Sequence, residues 1–303
     1  MQPLFKCLAI IVSYNPEPQL LSELIKSLIS QVSKIILIDN ASQISPLVNI
    51  SEKLVENIEY IQLSSNLGLG AAHNRGIAYG KINNYSHILI MDQDSLPAQD
   101  MVVNLYSAEQ ELVSQGVQIA AVGPQFISLH DNHKSAFIGK KRGQCSRIFC
   151  QNKENIKTEH LISSGSLISI NSVKAIGQMN ESLFIDLVDI EWGIRAKSLN
   201  YSCYGICGAS MRHHLGDTNI NVKFLNRRIV LSSSLRYYYH FRNALLLYRL
   251  PYVPWAWIWY HFSRHMFIKF IIIFFLPNRI KNMRMIFLGL WHGLHNKSGK
   301  LKE

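Results

Sequence analysis

The 303-residue sequence lacks several features that would assign a protein to a class at once. It has no stretch of about 20 apolar residues, the length that an uninterrupted membrane-spanning helix needs. The first apolar run, Leu8–Val12, is too short for a signal peptide, so we expect a protein that is not exported. No segment is rich enough in Gly, Ser and Pro to be a linker, and a chain of this length can bury a sizeable core.

Cysteines are few and odd in number, with five in the whole chain. Neither Cys145 with Cys150 nor Cys203 with Cys207 has the spacing of a zinc site. We therefore expect free thiols in a reducing cytosol.

Acidic residues are almost absent from the last part of the chain. Residues 219–303 contain 14 of the 31 Lys and Arg but one of the 20 Asp and Glu, whereas residues 1–218 are nearly neutral. A cationic segment of this kind is suited to an anionic surface, which is either nucleic acid or membrane. Nucleic acid is the weaker candidate, because the segment is strongly apolar and no recognition module is found.

Short apolar runs alternate with helical periodicity through the first 120 residues. Leu8–Val12, Lys34–Ile38 and Ile58–Leu63 predict buried strands, and Leu20–Leu28 has apolar residues at helical spacing. This order predicts βαβ units and a parallel sheet with right-handed crossovers. Residues 130–160 are polar without clear periodicity and predict a surface insertion or loop.

The most informative stretch is Ile88–Ser95, an apolar run that ends in Asp92 and Asp94. Ligands of open α/β sheets bind at the carboxyl ends of the strands. One carboxylate can take a divalent cation while the other takes a hydroxyl or a second metal position. The alternative is a pair of carboxylates that only caps a turn.

A glycine-containing stretch from Asn66 to Gly76 precedes a helical pattern, which allows a phosphate to approach the backbone. Its glycine spacing fits neither the P-loop nor the dinucleotide fingerprint, and tight helix–sheet packing is the alternative.

A second acidic cluster lies between Leu183 and Arg195. Glu191 and Arg195 have the i, i+4 spacing of a helix salt bridge, whereas Asp189 has no such partner and is the better candidate for a general base. Further on, His213 and His214 offer imidazoles to a metal–phosphate site.

The last 58 residues, 246–303, are aromatic and basic, and we predict that they form a tail distinct from a catalytic domain at 1–245. On a helix, one face would be apolar and the opposite face would carry His261, Arg264, His265 and Lys269. The residues of the apolar face are Trp255, Trp259, Phe262, Met266, Phe270 and Ile273. The pattern favours a helix in the headgroup region of an anionic membrane, and packing against the catalytic domain is the alternative.

Together these motifs resemble glycosyltransferase family 2, the nucleotide-sugar-dependent enzymes of GT-A fold, and most closely its bacterial rhamnosyltransferase branch. The resemblance extends from Ile10 to about Asn243. The matching segments are Val12–Pro16, Asp39–Ser42, Asn66–Gly68, Asn74–Gly76, Asp92–Ser95, Ser164–Gly165, Phe184–Arg195, His213 with Gly216, and Arg242–Asn243.

The resemblance implies an α/β protein with a Rossmann-like, mostly parallel sheet flanked by helices. It implies inverting transfer from dTDP-L-rhamnose, with Ser13 and Asp39 on the thymine and Asp92 near the ribose. It also implies that Asp94 binds Mg²⁺ or Mn²⁺ with His213 near the same phosphates, and that Asp189 is the base. Val188 stands where many relatives have an acidic residue, which keeps Asp186 in contention as the base. The other donor-binding positions in the matching motifs are Tyr14, Asn15, Asn66, Gly68, Asn74 and Gln93.

The resemblance and the tail together predict a lipid-linked saccharide acceptor at the cytoplasmic face of the inner membrane, as in O-antigen synthesis. Two alternatives stay open at this point. One is the same fold with a UDP-hexose donor, and the other is a non-catalytic membrane-bound assembly subunit.

Overall fold

The computed structural model describes residues 5–48, 50–128, 133–213, 219–222, 227–230, 233–267, 270, 273 and 278–301. His214 and Lys269, which the sequence singled out, lie outside this part, and so do the side chains of His213, Arg264 and His265. The strands are β1 Cys7–Ser13, β2 Lys34–Asp39, β3 Ile58–Gln62, β4 His87–Asp92, β5 Ser95–Pro97, β6 Ile119–Ser128, β7 Phe137–Lys141, β8 Gln144–Ile148, β9 Asn155–Thr158, β10 Ser166–Ser169, β11 Ser202–His213, β12 Asn219–Val222 and β13 Arg227–Val230.

Eight of these strands form the central sheet in the order β3-β2-β1-β4-β10-β6-β11-β5, and β9 pairs with β11. The neighbours β3, β2, β1 and β4 are all parallel, which confirms the predicted α/β architecture and its βαβ units. Every residue of β1 is buried, as expected for a strand with helices on both faces of its sheet. The β6 and β11 strands are also parallel, while β10, β5 and β9 run antiparallel to their neighbours.

The helices are α1 Pro18–Leu28, α2 Glu52–Val55, α3 Leu69–Ile82, α4 Met101–Ser114, α5 Ile170–Ile176, α6 Val188–Ser198, α7 Ser234–Tyr248, α8 Trp255–His261 and α9 Arg279–Leu294. A π-helical turn, Phe262–Met266, follows α8. The apolar faces of α1 and α4 pack on one side of the sheet. On the other side, Gly76 of α3 lies so close to Ile10 of β1 that a Cβ there would contact the Ile10 side chain at 2.5 Å. Gly76 therefore serves close helix–sheet packing, the alternative raised from the sequence, and the approach of a phosphate to the Asn66–Gly76 backbone stays a prediction.

The segment at 130–160 contains more structure than the sequence predicted. The β7 and β8 strands form an antiparallel hairpin, and β9 pairs with β11 of the central sheet. The pairing of β9 with β11 joins residues distant in sequence, so local periodicity could not reveal it, whereas only Arg142 and Gly143 separate β7 from β8. Residues 161–165 form a loop that leads into β10 at Ser166.

The expectation of free thiols is wrong for two of the five cysteines. Cys150 and Cys207 form a disulfide, with their Cα atoms 5.7 Å apart. They are 57 residues apart in the sequence and meet because β9 pairs with β11 and the Cys207 N–H donates to the Glu154 carbonyl. Cys7, Cys145 and Cys203 are free thiols, as expected.

The last helix, α9, packs against α7. A Cβ at Gly289 of α9 would lie 2.5 Å from the Tyr238 carbonyl oxygen of α7, so this glycine permits a very close approach of the two backbones. In the described ranges no helix has the length and apolarity that a bilayer crossing needs.

The sequence predicts a helix over 255–273 with one apolar and one basic face, and the exposure of its side chains in the structure does not follow that division. Trp255 and Trp259 are exposed, but Met266 and Ile273 of the same predicted face are buried, and so is His261 of the opposite face. The π-helical turn has more residues per turn than an α-helix, so Ile273, which follows it, lies on a different face from Trp255 and Trp259. The division of the chain at 245/246 stays a prediction.

Candidate active site

The carboxyl ends of three neighbouring strands bring the first predicted residues together. Ser13 of β1 is in register with Asp39 of β2, and Val12 of β1 is in register with Asp92 of β4. Ser13, Asp39 and Asp92 are therefore adjacent at one edge of the sheet, where open α/β sheets bind ligands.

Asp39 is fully buried and held in place by its neighbours. One carboxylate oxygen accepts from the backbone amide and the hydroxyl of Ser42, and the other accepts from the Tyr60 hydroxyl at 3.2 Å. The hydroxyl oxygen of Ser13 is also buried, and it has no hydrogen-bond partner among the described residues. An unused hydroxyl beside a fixed carboxylate suits a polar ligand such as a nucleobase, since buried polar groups normally find partners.

The loop after β1 joins the loops after β2 and β4. The Tyr14 N–H donates to the Gln93 side-chain oxygen at 2.8 Å, and the Asn15 N–H donates to the Ser42 hydroxyl at 2.8 Å. The Tyr14 side chain is 48% exposed, so its ring is available at the mouth of the site. Gln93 lies between Asp92 and Asp94 in the sequence, and its side chain also holds the loop that follows β1.

Asn66 and Gly68 form the turn before α3. The Asn66 side chain accepts from the Gly68 N–H, and Gly68 has a φ of +91°, a conformation that favours glycine. The next amide, of Leu69, donates to the Phe184 carbonyl. This turn therefore contacts the segment that leads to Asp189.

Asn74 is buried on α3, and its amide is fully used by protein groups. It donates to the Met179 carbonyl and to Glu181, and it accepts from the Met179 N–H at 2.9 Å. Asn74 joins α3 to the segment that precedes the second acidic cluster, and a donor contact by this residue stays a prediction.

Asp94 lies between β4 and β5 and is partly buried. The β5–β11 pairing sets Ser95, the residue after Asp94, opposite His213. Opposed residues of antiparallel strands have Cα atoms about 5 Å apart, so the His213 backbone lies near the Asp94 loop. Among the described residues, no three His, Cys, Asp or Glu are grouped as a metal site. Mg²⁺ is commonly bound by one or two carboxylates together with substrate phosphates, and Asp94 fits that kind of site.

Ser163 and Ser164 connect the two halves of the candidate site. The Ser164 hydroxyl accepts from the Asp92 N–H at 3.1 Å and hydrogen-bonds to the Ser95 hydroxyl at 2.7 Å. The Ser163 N–H donates to the Asp189 carboxylate at 3.0 Å. Two consecutive residues therefore place Asp189 next to the end of β4.

Asp189 lies in the first turn of α6, where it also accepts from the Ile190 N–H at 2.8 Å. Burial raises the pKa of its carboxyl above the ordinary aspartate range, the charge of Asp186 adds to this, and the backbone hydrogen bonds oppose it. A raised pKa makes a carboxylate a stronger base, provided that it is still ionised at the working pH. The Glu191–Arg195 salt bridge predicted from the sequence is confirmed at 2.8 Å.

Arg236 of α7 is a functional candidate that the sequence analysis missed. Its guanidinium pairs with Asp186 at 2.6 Å and is 55% exposed. The charge of Asp186 raises the pKa of Arg236, and the charges of Asp92 and Asp189 add to that shift. Arg236 therefore brings a positive charge to the carboxylates of the site, and Asp186 is its partner. The sequence signal was weak, because Arg236 is one of many basic residues in a cationic segment.

Comparison with known proteins identifies both a family and a fold. Residues 8–177 match the family model described as glycosyl transferase family 2. The chain is 32% identical over 250 residues to the dTDP-rhamnosyl transferase RfbF of Shigella flexneri, and the match covers 81% of each protein.

Two solved structures illustrate the fold. Residues 1–349 of S. aureus TarS in complex with UDP-GlcNAc match with a TM-score of 0.60 and 14% identity, over 96% of this chain and 81% of that one. GalNAc-T7 with UDP, GalNAc and Mn²⁺ matches with a TM-score of 0.57 and 14% identity, over 86% of this chain. The chain spans 54% of the GalNAc-T7 chain. At this identity the two structures support the fold alone.

Proposed function

This chain belongs to glycosyl transferase family 2 and is a glycosyltransferase, and from this premise we propose that it transfers L-rhamnose from dTDP-L-rhamnose with inversion. The proposed acceptor is a lipid-linked saccharide of a bacterial surface polysaccharide such as O-antigen. The proposed location is the cytoplasmic face of the inner membrane.

The observation that carries the proposal is the link through Ser163 and Ser164. It joins the Asp189 carboxylate and the backbone of Asp92 to two consecutive serines, at the edge of the sheet where a nucleotide would bind. A base beside the donor's reacting carbon is the arrangement that direct displacement requires.

The donor assignment is supported by the relative and by the nucleotide side of the site. The relative carries dTDP-rhamnosyl transfer in its name and aligns over 250 residues. Ser13 and Asp39 offer a hydroxyl and a carboxylate to a base with an imide N–H, such as thymine. Uracil has the same imide edge, so a UDP-sugar donor is the alternative that the experiment must separate.

The reaction follows from what each side chain can do. Asp189 takes the proton of the acceptor hydroxyl while that oxygen attacks the sugar carbon from the face opposite the diphosphate. The carbon–oxygen bond to the diphosphate breaks, and the configuration at that carbon inverts in a single displacement. Mg²⁺ or Mn²⁺ bound by Asp94, with His213 beside it, would neutralise charge on the departing diphosphate. Arg236 adds a positive charge on the same side of the site.

A membrane surface as partner is supported by the exposed side chains of the C-terminal helices. Trp255 and Trp259 on α8 are 83% and 70% exposed, and Trp291 on α9 is 57% exposed. Arg279 and Arg284 on α9 are exposed as well. Tryptophan favours the headgroup region and Arg attracts anionic lipid, so these helices suit a membrane surface better than an aqueous one.

The proposal is tested by calorimetric titration of dTDP-rhamnose and of UDP-glucose, each with Mn²⁺ and with a chelator. Metal-dependent binding of the dTDP sugar alone would support the donor and the Asp94 site together. Preference for UDP-glucose would refute the rhamnosyl donor and retain the enzyme class. Absence of binding of both sugars by folded protein would refute the proposed donor and its metal site.

A further inference from the structure

The residues just before the proposed base have an unusual backbone. Phe184, Asp186 and Leu187 have φ angles of +64°, +63° and +64°, in the left-handed region that side chains other than glycine rarely adopt. We call residues 183–187 the base turn, because Leu187 leads directly into α6 and Asp189. Such conformations persist only when surrounding groups fix them.

Asn243 of α7 supplies the groups that fix the base turn. Its side-chain nitrogen donates to the carbonyl oxygens of Leu183, Ile185 and Asp186, at 2.9, 2.8 and 2.9 Å. Asn243 is fully buried, so water does not compete for the hydrogens of its amide. An amide nitrogen has two hydrogens, and three acceptors around it share them.

Arg242, the preceding residue, strengthens the same arrangement. It donates to the Leu183 carbonyl at 3.0 Å, and it also donates to the side-chain oxygen of Asn243 at 2.9 Å. A guanidinium can only donate, so the second bond requires that the oxygen of the Asn243 amide faces Arg242. The nitrogen must therefore point at the base turn.

We infer that Asn243 is a positioning residue of the proposed transfer reaction: by donating to three carbonyls of the base turn it places the Asp189 carboxylate against Ser163. This inference rests on the proposed function, since it assigns Asp189 the role of base. Besides Arg242, the charged groups at the turn are Asp186, which is part of it, and Arg236, which pairs with Asp186.

The three carbonyl oxygens around the Asn243 side chain explain why an amide, which can donate hydrogen bonds, stands at this position. Carbonyl oxygens accept hydrogen bonds and donate none, so an aspartate of nearly the same size would place an acceptor among three acceptors. Without the donors, the left-handed residues of the turn can relax, and Asp189 moves with the start of α6. The strands that carry Ser13 and Asp39 do not depend on this turn.

The test compares Asn243→Asp with Asn243→Ala in the full chain, and uses Tyr248→Phe as a matched control. Tyr248 is on the same helix, and its hydroxyl bonds to His261 away from the base turn. A displacement of about 1 Å can reduce a rate by on the order of 10²-fold, so we expect that loss in kcat for both Asn243 variants. We expect the donor dissociation constant to change much less than kcat, because Ser13 and Asp39 stay in place and the base turn reaches the donor side only through the Gly68 turn and Arg236.

Hydrogen–deuterium exchange of the segment 183–190 gives a second measurement that needs no substrate. We expect faster exchange there in both Asn243 variants and unchanged exchange in Tyr248→Phe. If an Asn243 variant does not fold, Asn243→Ser keeps one hydroxyl donor, and it should lose less kcat than the other variants.

The outcomes separate this inference from the proposed function. If Asn243→Asp keeps kcat within about threefold of the wild type, or if exchange at 183–190 is unchanged, the positioning role is refuted. If the wild type transfers no sugar from any nucleotide donor, the proposed function fails, while the exchange measurement still decides whether Asn243 fixes the turn. An equal loss of kcat and donor affinity in every variant would indicate general unfolding and would also refute the inference.

Discussion

Replacement of Asp189 by Asn is the most direct test of the mechanism. The amide cannot take a proton from the acceptor hydroxyl, yet it has nearly the same size as the carboxylate. General base catalysis contributes roughly 10²–10⁴-fold, which corresponds to about 3–5 kcal/mol in the activation free energy. We therefore expect kcat to fall by that factor while the donor dissociation constant stays nearly unchanged.

The structure also gives the size of the effect on stability. The Asp189 carboxylate accepts from the Ser163 and Ile190 amides with its two oxygens, whereas an asparagine has one oxygen to offer. Loss of one such bond to a charged group costs about 1.5–3 kcal/mol, and removal of a buried charge offsets part of it. The variant should therefore melt within a few degrees of the wild type and be fully folded in the assay.

The assay is release of the nucleoside diphosphate under saturating donor, with titration calorimetry of the donor beside it. The pH dependence provides a further check. Because the pKa of Asp189 is raised, wild-type activity should fall as the pH drops through a value above that of an ordinary aspartate. The base works above its folded-state pKa, where it is ionised, and fails below it.

Asp186→Asn is the matched control, since Asp186 is the other carboxylate in contention and pairs with Arg236. It should lose less activity than Asp189→Asn. A larger loss in Asp186→Asn would assign the base to Asp186. Loss of donor binding in Asp189→Asn would refute the role given to Asp189.

Three further predictions concern the metal, Arg236 and the tail. Asp94→Ala should weaken donor binding measured with Mn²⁺ but match the wild type in a chelator, and equal loss in both conditions would contradict a metal site. Arg236→Ala should raise the donor KM about tenfold, because a charged hydrogen bond contributes about 1.5–3 kcal/mol, and an unchanged KM and kcat would exclude a donor contact. Trp255→Ser with Trp259→Ser should reduce flotation with anionic liposomes while donor binding is kept. Ile82→Ser, at an exposed apolar residue of α3, is the control, and equal effects of both changes would contradict a specific lipid surface.

Local patterns predicted the parts of the protein that depend on neighbours in sequence. The strands that end at Asp39 and Asp92 were predicted because an apolar run followed by polar residues marks a buried strand. The Glu191–Arg195 pair was predicted because four residues span one helical turn. The resemblance of ordered motifs to glycosyltransferase family 2 was confirmed by the family match.

Contacts between distant residues were decided by the tertiary structure. Arg236 reaches Asp186 across 50 positions, and Cys150 reaches Cys207 across 57. Neither pair has a local signal, because the order of strands and the packing of α7 bring the partners together.

The sequence by itself therefore determined the parallel strands, the acidic residues at their carboxyl ends and the family. The tertiary structure decided how Ser163 and Ser164 join Asp92 to Asp189, how Asn243 holds the base turn, and which tail residues are exposed. The physical reason is that periodicity records the face on which a residue lies within its own helix or strand. Which elements meet, and how a π-helical turn rotates the residues after it, depends on packing along the whole chain.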